Sequence, residues 1–363
     1  MLGPPLIHHN EASSVDVVEI LYNTLLHHAE QIQEILRTVV PLKMTEEDEL
    51  QFEMATTCHL CKKPFEKRSD DAKVRNHSHV DGKFLAAAHQ SCNLNYKVPD
   101  HIPVIFHNLA GYDLHHLIQG LSERHKKSKI SVIARTSERY TSITIDSLRF
   151  IDSMQFMNAS LDTLVSNLAK EGSDKFKIVR KYISNDEEFQ LMLRKGVYPY
   201  DYMTDASKFK LTQLPSKEDF FNKLTDSHIT DEQYAHAQLV WKVCGMKTML
   251  DYHNVYMLMD TLLLADVWQH FRCMSMKYYE IDPCNMYSAP GLAWNAMLKM
   301  TGVELELLTD IDQHNMIESA IRGGVAMISH RYAEAQNPYL TTDEETVKDA
   351  ISDVNNQYLW YTD

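Results

Sequence analysis

Pro103-Val-Ile-Phe-His-Asn-Leu-Ala-Gly-Tyr-Asp113-Leu-His-His-Leu-Ile118 decides the fold. Val104 to Phe106 is an apolar run long enough for a buried strand. Asn108 and Gly111 interrupt it as turn residues do. From Tyr112 the pattern becomes helical, with Leu114, Leu117 and Ile118 at offsets of three and four. Asp113 therefore stands where a strand's C-terminal end passes into a helix, the crevice position for ligands in open α/β sheets. It is read either as the cap of that helix or as a ligand-facing acid.

A second acid lies far along the chain, in Tyr252-His-Asn-Val-Tyr256-Met-Leu-Met-Asp260. No Gly or Pro breaks Leu250 to Ile281, so one long helix is predicted. Its middle is apolar nearly all round, the mark of a buried helix. Tyr252, Tyr256 and Asp260 share one face at spacings of four. An ionised carboxylate there costs several kcal/mol, of order 3 or more, unless a cation or strong donors meet it. A structural Tyr–Asp hydrogen bond and a metal site with a water-orienting phenol are the two readings. Asp266, further along the same helix, reads as solvated surface, with a supporting role behind the candidate site as the alternative.

The totals set limits. A chain of 363 residues can bury a large core and divide into two or three units. No apolar run reaches a membrane-spanning length, and Met-Leu-Gly-Pro-Pro lacks the features of a signal peptide. An intracellular protein without membrane contact is expected. The net charge of −14 excludes indiscriminate nucleic-acid binding. Residues 58–100 carry eight Lys/Arg against five Asp/Glu, a basic island on an acidic body that permits local phosphate contact.

That island holds Cys58-His-Leu-Cys61 and, after a long loop, His89-Gln-Ser-Cys92. Two knuckles with two-residue spacers supply four N/S ligands, Cys58, Cys61, His89 and Cys92, the closed set of a structural zinc ion. So small a module needs the ion to fold. Between the knuckles lies Asn76-His77-Ser78-His79, and Asn93 follows Cys92. The module resembles ββα-metal (HNH-type) nucleases. The resemblance implies that His77 activates water and that positions 76 and 93 hold magnesium, with His79 in the same pattern. Asn76 and Ser78 replace the acids of that pattern, and a neutral amide is a weaker magnesium ligand than a carboxylate.

Around these landmarks, residues 14–39 read as an amphipathic helix. Ile130–Ala134, Tyr140–Ile145 and Leu148–Ile151 read as strands, and Ser216 and Thr230 start helices, the latter with a capping box to Gln233. The fold class is α/β (α+β), a ribonuclease-H-like layer.

Several segments together resemble the protein-primed branch of family B DNA polymerases, organellar, viral and Polinton-type. Asn108-Leu-Ala-Gly-Tyr-Asp113 is similar to the second exonuclease motif, and Tyr256-Met-Leu-Met-Asp260 to the third. Gly196-Val-Tyr-Pro-Tyr-Asp-Tyr202, Tyr287–Trp294 and Ile321-Arg-Gly-Gly-Val-Ala-Met-Ile328 resemble further blocks of that branch. The resemblance implies a 3′–5′ exonuclease with two divalent ions, Mg2+ or Mn2+. Asp113 and Asp260 would be ligands, Tyr256 would orient water, and Asn108 would place a single-stranded 3′ end. Arg322, Gly323 and Gly324 would guide DNA, and Asp363 would be a metal-binding Asp of the palm. No Asp-x-Glu of the first motif precedes Asn108.

The expected organisation is a helical segment over 1–57, the zinc module over 58–100, an exonuclease region over 101–300 and a transition to the palm over 301–363. The chain is thus expected to be an N-terminally incomplete exonuclease-region fragment, inactive alone, with DNA, a terminal priming protein or the rest of a polymerase as partners. A nuclear location is expected if it derives from a eukaryotic transposon. Two other functions stay open: a non-catalytic zinc-dependent DNA-binding protein, and an HNH-type structure-specific endonuclease.

Overall fold

The computed structural model describes residues 17–66, 70–96, 101–111, 113–121, 128–134 and 140–321. Two compact units divide the chain, Met1–Thr301 and Gly302–Asp363. In the first, α1 (Val17–Arg37) and α2 (Glu46–Met54) precede a small ββα module of β1 (Lys73–His77), β2 (Phe84–His89) and α3 (Gln90–Asn95). Then come β3 (Ile102–Phe106), α4 (Asp113–Leu121), β4 (Ile130–Ala134), β5 (Tyr140–Ile145) and β6 (Leu148–Asp152). Helices follow: α5 (Leu161–Glu171), α6 (Lys177–Tyr182), α7 (Asp186–Met192), α8 (Asp231–Val243), α9 (Met249–Tyr279) and α10 (Ala289–Thr301). The second unit contributes α11 (Ile311–Ala320), whose residues are exposed.

The main sheet has the order β3-β6-β5-β4. β3 and β6 run parallel and the other pairs antiparallel, with Phe106 of β3 opposite Asp152 of β6. The parallel pair arises because α4 and the β4–β5 hairpin intervene and return the chain in the same direction. One core lies between this sheet and two helices. Tyr22 and Ala29 of α1 and Leu114 and Leu117 of α4 pack with Ile143, Ile145, Leu148 and Phe150. Phe150 is fully buried, contributing about 2–3 kcal/mol of transfer free energy. α1 approaches α4 closely at Gly120, where an added Cβ would lie 2.5 Å from Val18 Cγ1.

The second core is helical: Val165, Leu168, Phe176, Val179, Ala237, Met249 and Leu263 converge around α9. That 31-residue helix is opened by a Thr248–Asp251 capping box. The same device, Thr230 with Gln233, opens α8. Ser216 starts only a 3-10 turn, Lys217–Phe220, rather than an α-helix. The mixed α/β fold is that of a ribonuclease-H-like layer.

Asp266 corrects the sequence reading. It is 2 % exposed rather than solvated, and its carboxylate accepts from the amides of Ile178 (2.8 Å) and Val179 (2.8 Å) at the start of α6. A negative group among the first free N–H groups of a helix satisfies donors and meets the positive end of its dipole. Among the described residues, no helix is long and apolar enough to cross a membrane.

Candidate active site and metal centre

The parallel pairing brings the C-terminal ends of β3 and β6 side by side. Beyond β3 the chain turns through Asn108, whose φ of 63° is left-handed, a conformation Asn tolerates better than most residues. The Asn108 carboxamide lies across Gly111, where an added Cβ would sit 2.5 Å from Oδ1. The turn is anchored from β6: the Asn108 amide donates to Asp152 Oδ1 at 2.8 Å and the Ala110 amide to Oδ2 at 3.4 Å. The His107 ring sits 2.9 Å from the Ser153 hydroxyl and 3.1 Å from the Ala159 carbonyl.

Asp113 then opens α4 half-buried. Burial pushes its carboxyl above the usual carboxylate range, and the negative charge of Asp152 adds to this, against its own backbone amide and His116. Asp113 is the first residue of the helix rather than the residue before it, and it is an acid that a cation would relieve.

From the other side, α9 presents Tyr252, Tyr256 and Asp260 to the segment Lys195–Tyr200. The Tyr252 hydroxyl donates to the Val197 carbonyl at 2.6 Å, and the Tyr256 and Tyr200 hydroxyls are 2.6 Å apart. Tyr198 stacks on Tyr256 with ring centroids 4.9 Å apart and bonds His253 at 2.8 Å. Lys195 Nζ stands 3.6 Å from Asp260 Oδ2. The other oxygen, Asp260 Oδ1, is buried with no hydrogen-bond partner among the described residues.

Burial holds the Asp260 carboxyl above its ordinary value, with Lys195 and Tyr256 opposing the shift. Burial, then the charge of Asp260 and the neighbouring Tyr200, pushes the Tyr256 phenol far above the usual phenol range, so it is a neutral donor.

The two halves are linked. Lys195, paired to Asp260, lowers the His107 imidazole together with burial, the larger effect, against Asp152 and the Ala159 carbonyl. His107, Ser153, Asp152 and the Asn108 turn are joined by hydrogen bonds at the end of the sheet, and the charges of Lys195 and Asp152 both act on the His107 ring. Lys195, Tyr200 and Asp152 had no role in the sequence reading. The tyrosine-rich block after Gly196 flagged the segment, but only the fold shows its register on α9.

In the ββα module, the ligand atoms of Cys58, Cys61, His89 and Cys92 all lie within 4.8 Å of one another. Cys61 Sγ is 3.4 Å from His89 Nδ1, and the His89 amide donates to Cys58 Sγ at 3.3 Å. Burial pushes the Cys58 thiol up, but donors from Cys61, His89 and Leu60 outweigh it and bring it down to about 6. Burial, together with the neighbouring Cys61 and Cys58, drives Cys92 the other way, to about 11. Three thiolates so close cannot ionise together without a cation. Three Cys and one His match the donor set of a structural zinc ion, and this cluster can hold such a metal.

The nuclease-like residues lie in the same module. Asn76 is buried at 5 % exposure, and its Nδ2 lies 2.8 Å from His59 Nε2. Its amide nitrogen is thereby engaged within the module. The His77 and His79 rings are tilted against each other with centroids 4.9 Å apart, and Asn93 follows Cys92 on α3. Arg322, Gly323, Gly324 and Asp363 lie outside the described residues.

No curated protein and no solved structure matches the chain. A family model, DNA polymerase type B, organellar and viral, matches residues 94–340, a stretch that spans β3, the turn at Asn108, the Lys195–Tyr200 segment and all of α9. With more than half its length matched, the chain belongs to the organellar and viral type B DNA polymerase family.

Proposed function

We propose that this chain carries the DNA-binding 3′–5′ exonuclease region of a protein-primed type B DNA polymerase, over residues 101–300. A helical segment over 1–57 and a zinc module over 58–100 precede it, and the approach to the palm begins at 301. The observation that supports the reading is the buried Asp260 Oδ1, which has no hydrogen-bond partner among the described residues. A buried carboxylate oxygen with no donor is what a divalent cation would satisfy.

Asp113 and Asp260 would hold Mg2+ or Mn2+, which when bound supplies Lewis-acid stabilisation of the scissile phosphate. The other residues do the positioning. Tyr256, kept neutral, donates toward an attacking water. Lys195 balances Asp260 and offers a cation to a phosphate oxygen. Asn108, exposed at the tip of its turn, meets a single-stranded 3′ end, and the half-exposed Tyr200 ring offers a stacking face to a base. Two carboxylates hold two ions less well than the four of a complete site, so efficient hydrolysis is not expected.

The test is anisotropy of 5′-labelled oligothymidylate with Mg2+, together with a 3′-shortening assay in Mn2+. Salt-sensitive binding weakened by Asn108→Ala, with any shortening abolished by Asp260→Ala, is expected. Binding indifferent to both substitutions would contradict the reading.

The zinc cluster favours a second reading, a zinc-dependent DNA-binding or interaction role. DNA binding lost on Cys58→Ser but kept in Asp260→Ala and Asn108→Ala would select it.

A further inference from the structure

Asp152 is the most completely buried acid among the described residues, 1 % exposed, and the proposed chemistry does not use it. It ends β6 directly opposite Phe106 of β3. Oδ1 accepts from the amides of Asn108 at 2.8 Å and Met154 at 3.0 Å, and Oδ2 from the amide of Ala110 at 3.4 Å. With both oxygens engaged by backbone donors, it is an anchor rather than a cation ligand. The turn it grips needs one: Asn108 is left-handed, and Gly111 is confined by the Asn108 carboxamide. Ser153, the next residue, ties the same turn from its other end through the Phe106 carbonyl at 2.8 Å and the His107 ring.

We propose that Asp152 is a positioning residue of this site: its carboxylate clamps the Asn108–Gly111 turn, so that Asn108 receives a single DNA strand and Asp113 is set at the end of β3. The proposal rests on the exonuclease reading above. A carboxylate suits the task because three donors converge on it, whereas an amide offers one acceptor oxygen and an NH2 that would face an N–H.

Asp152→Asn in the full zinc-loaded chain makes the test, with two readouts. Amide hydrogen exchange at Asn108 and Ala110 should quicken at least tenfold, while Ile143 in β5 stays within twofold of wild type. Affinity for 5′-labelled oligothymidylate should fall about tenfold. Ser142→Ala, which removes the hydroxyl bond to the Phe150 carbonyl in the same sheet, should lower stability and leave that affinity unchanged. Ala110→Pro deletes one of the three donors and should weaken binding in the same direction, which keeps the test open if Asp152→Asn folds poorly.

A uniform rise in exchange across the sheet, or unaltered affinity in Asp152→Asn beside a wild type that binds, overturns this proposal alone. A wild type that binds no single strand overturns the exonuclease reading and this role with it.

Discussion

Lys195 and Asp260 form a 3.6 Å ion pair through one carboxylate oxygen, Oδ2, while Oδ1 is buried without a hydrogen-bond partner among the described residues. The Asp260 carboxyl is held above its ordinary value, chiefly by burial. A folded-state pKa above the unfolded one means that the native chain binds the proton more tightly. Asp260 therefore favours the fold fully below the unfolded value of 3.8, and that contribution is lost as pH rises through the folded pKa. Asp260→Asn should thus raise the melting temperature at pH 7 by about 1–3 °C, roughly 1 kcal/mol. The gain should shrink toward pH 3, as the wild-type carboxyl takes its own proton. Thermal melts from pH 3 to 8 check both sign and window; a lower melting temperature at neutral pH would show that the ion pair outweighs desolvation.

Asp266 is also held above its ordinary value by burial, but both its oxygens accept from amides of α6. Asp266→Ala should cost about 2–4 kcal/mol, the loss of charge-assisted bonds plus orphaned N–H groups. Affinity for single-stranded DNA per folded molecule should not change. Chemical denaturation with parallel anisotropy measures both; a loss of affinity without a loss of stability would reassign the residue.

The cluster of Cys58, Cys61, His89 and Cys92 should hold one equivalent of zinc per chain, measurable by elemental analysis. Cys61→Ser or Cys92→Ser should remove the stoichiometric ion. Protease sensitivity should then appear within residues 58–92, because the small module depends on the ion for its fold. Zinc retained at full occupancy by both variants would refute the ligand set.

Asn76 faces His59 at 2.8 Å inside the module. Magnesium-dependent nicking of duplex or branched DNA should accordingly be absent, and His77→Ala should alter neither zinc content nor DNA affinity. A plasmid-nicking assay decides this. Cleavage abolished by His77→Ala would restore the HNH-type endonuclease reading.

What the sequence disclosed followed from local rules. The ligands at Cys58, Cys61, His89 and Cys92 are legible because metal geometry fixes their spacing, and α9 because no breaker interrupts it. The strand-to-turn change at Asn108 was visible for the same reason, since Asn and Gly tolerate conformations that other residues resist. Asp152 and Asp266 were not legible in their roles. Each accepts from amides remote in sequence, across β3–β6 in one case and from α6 in the other, and an isolated acid in a chain carries no mark of which backbone donors the fold will bring to it. Asp266 even mimicked a surface residue, because a polar residue on a long helix faces water unless another helix ends against it. Lys195 was hidden in the same way: its partner lies on α9, and only the packed register of the Lys195–Tyr200 segment brings them together.

Manganese titration of the zinc-loaded chain, followed by electron paramagnetic resonance, most directly tests whether Asp113 and Asp260 serve one cation site. The expected result is a bound Mn2+ ion lost in Asp113→Ala and equally in Asp260→Ala, with the double variant no worse than either. Independent, additive losses, or Mn2+ binding untouched by either substitution, would contradict a shared site.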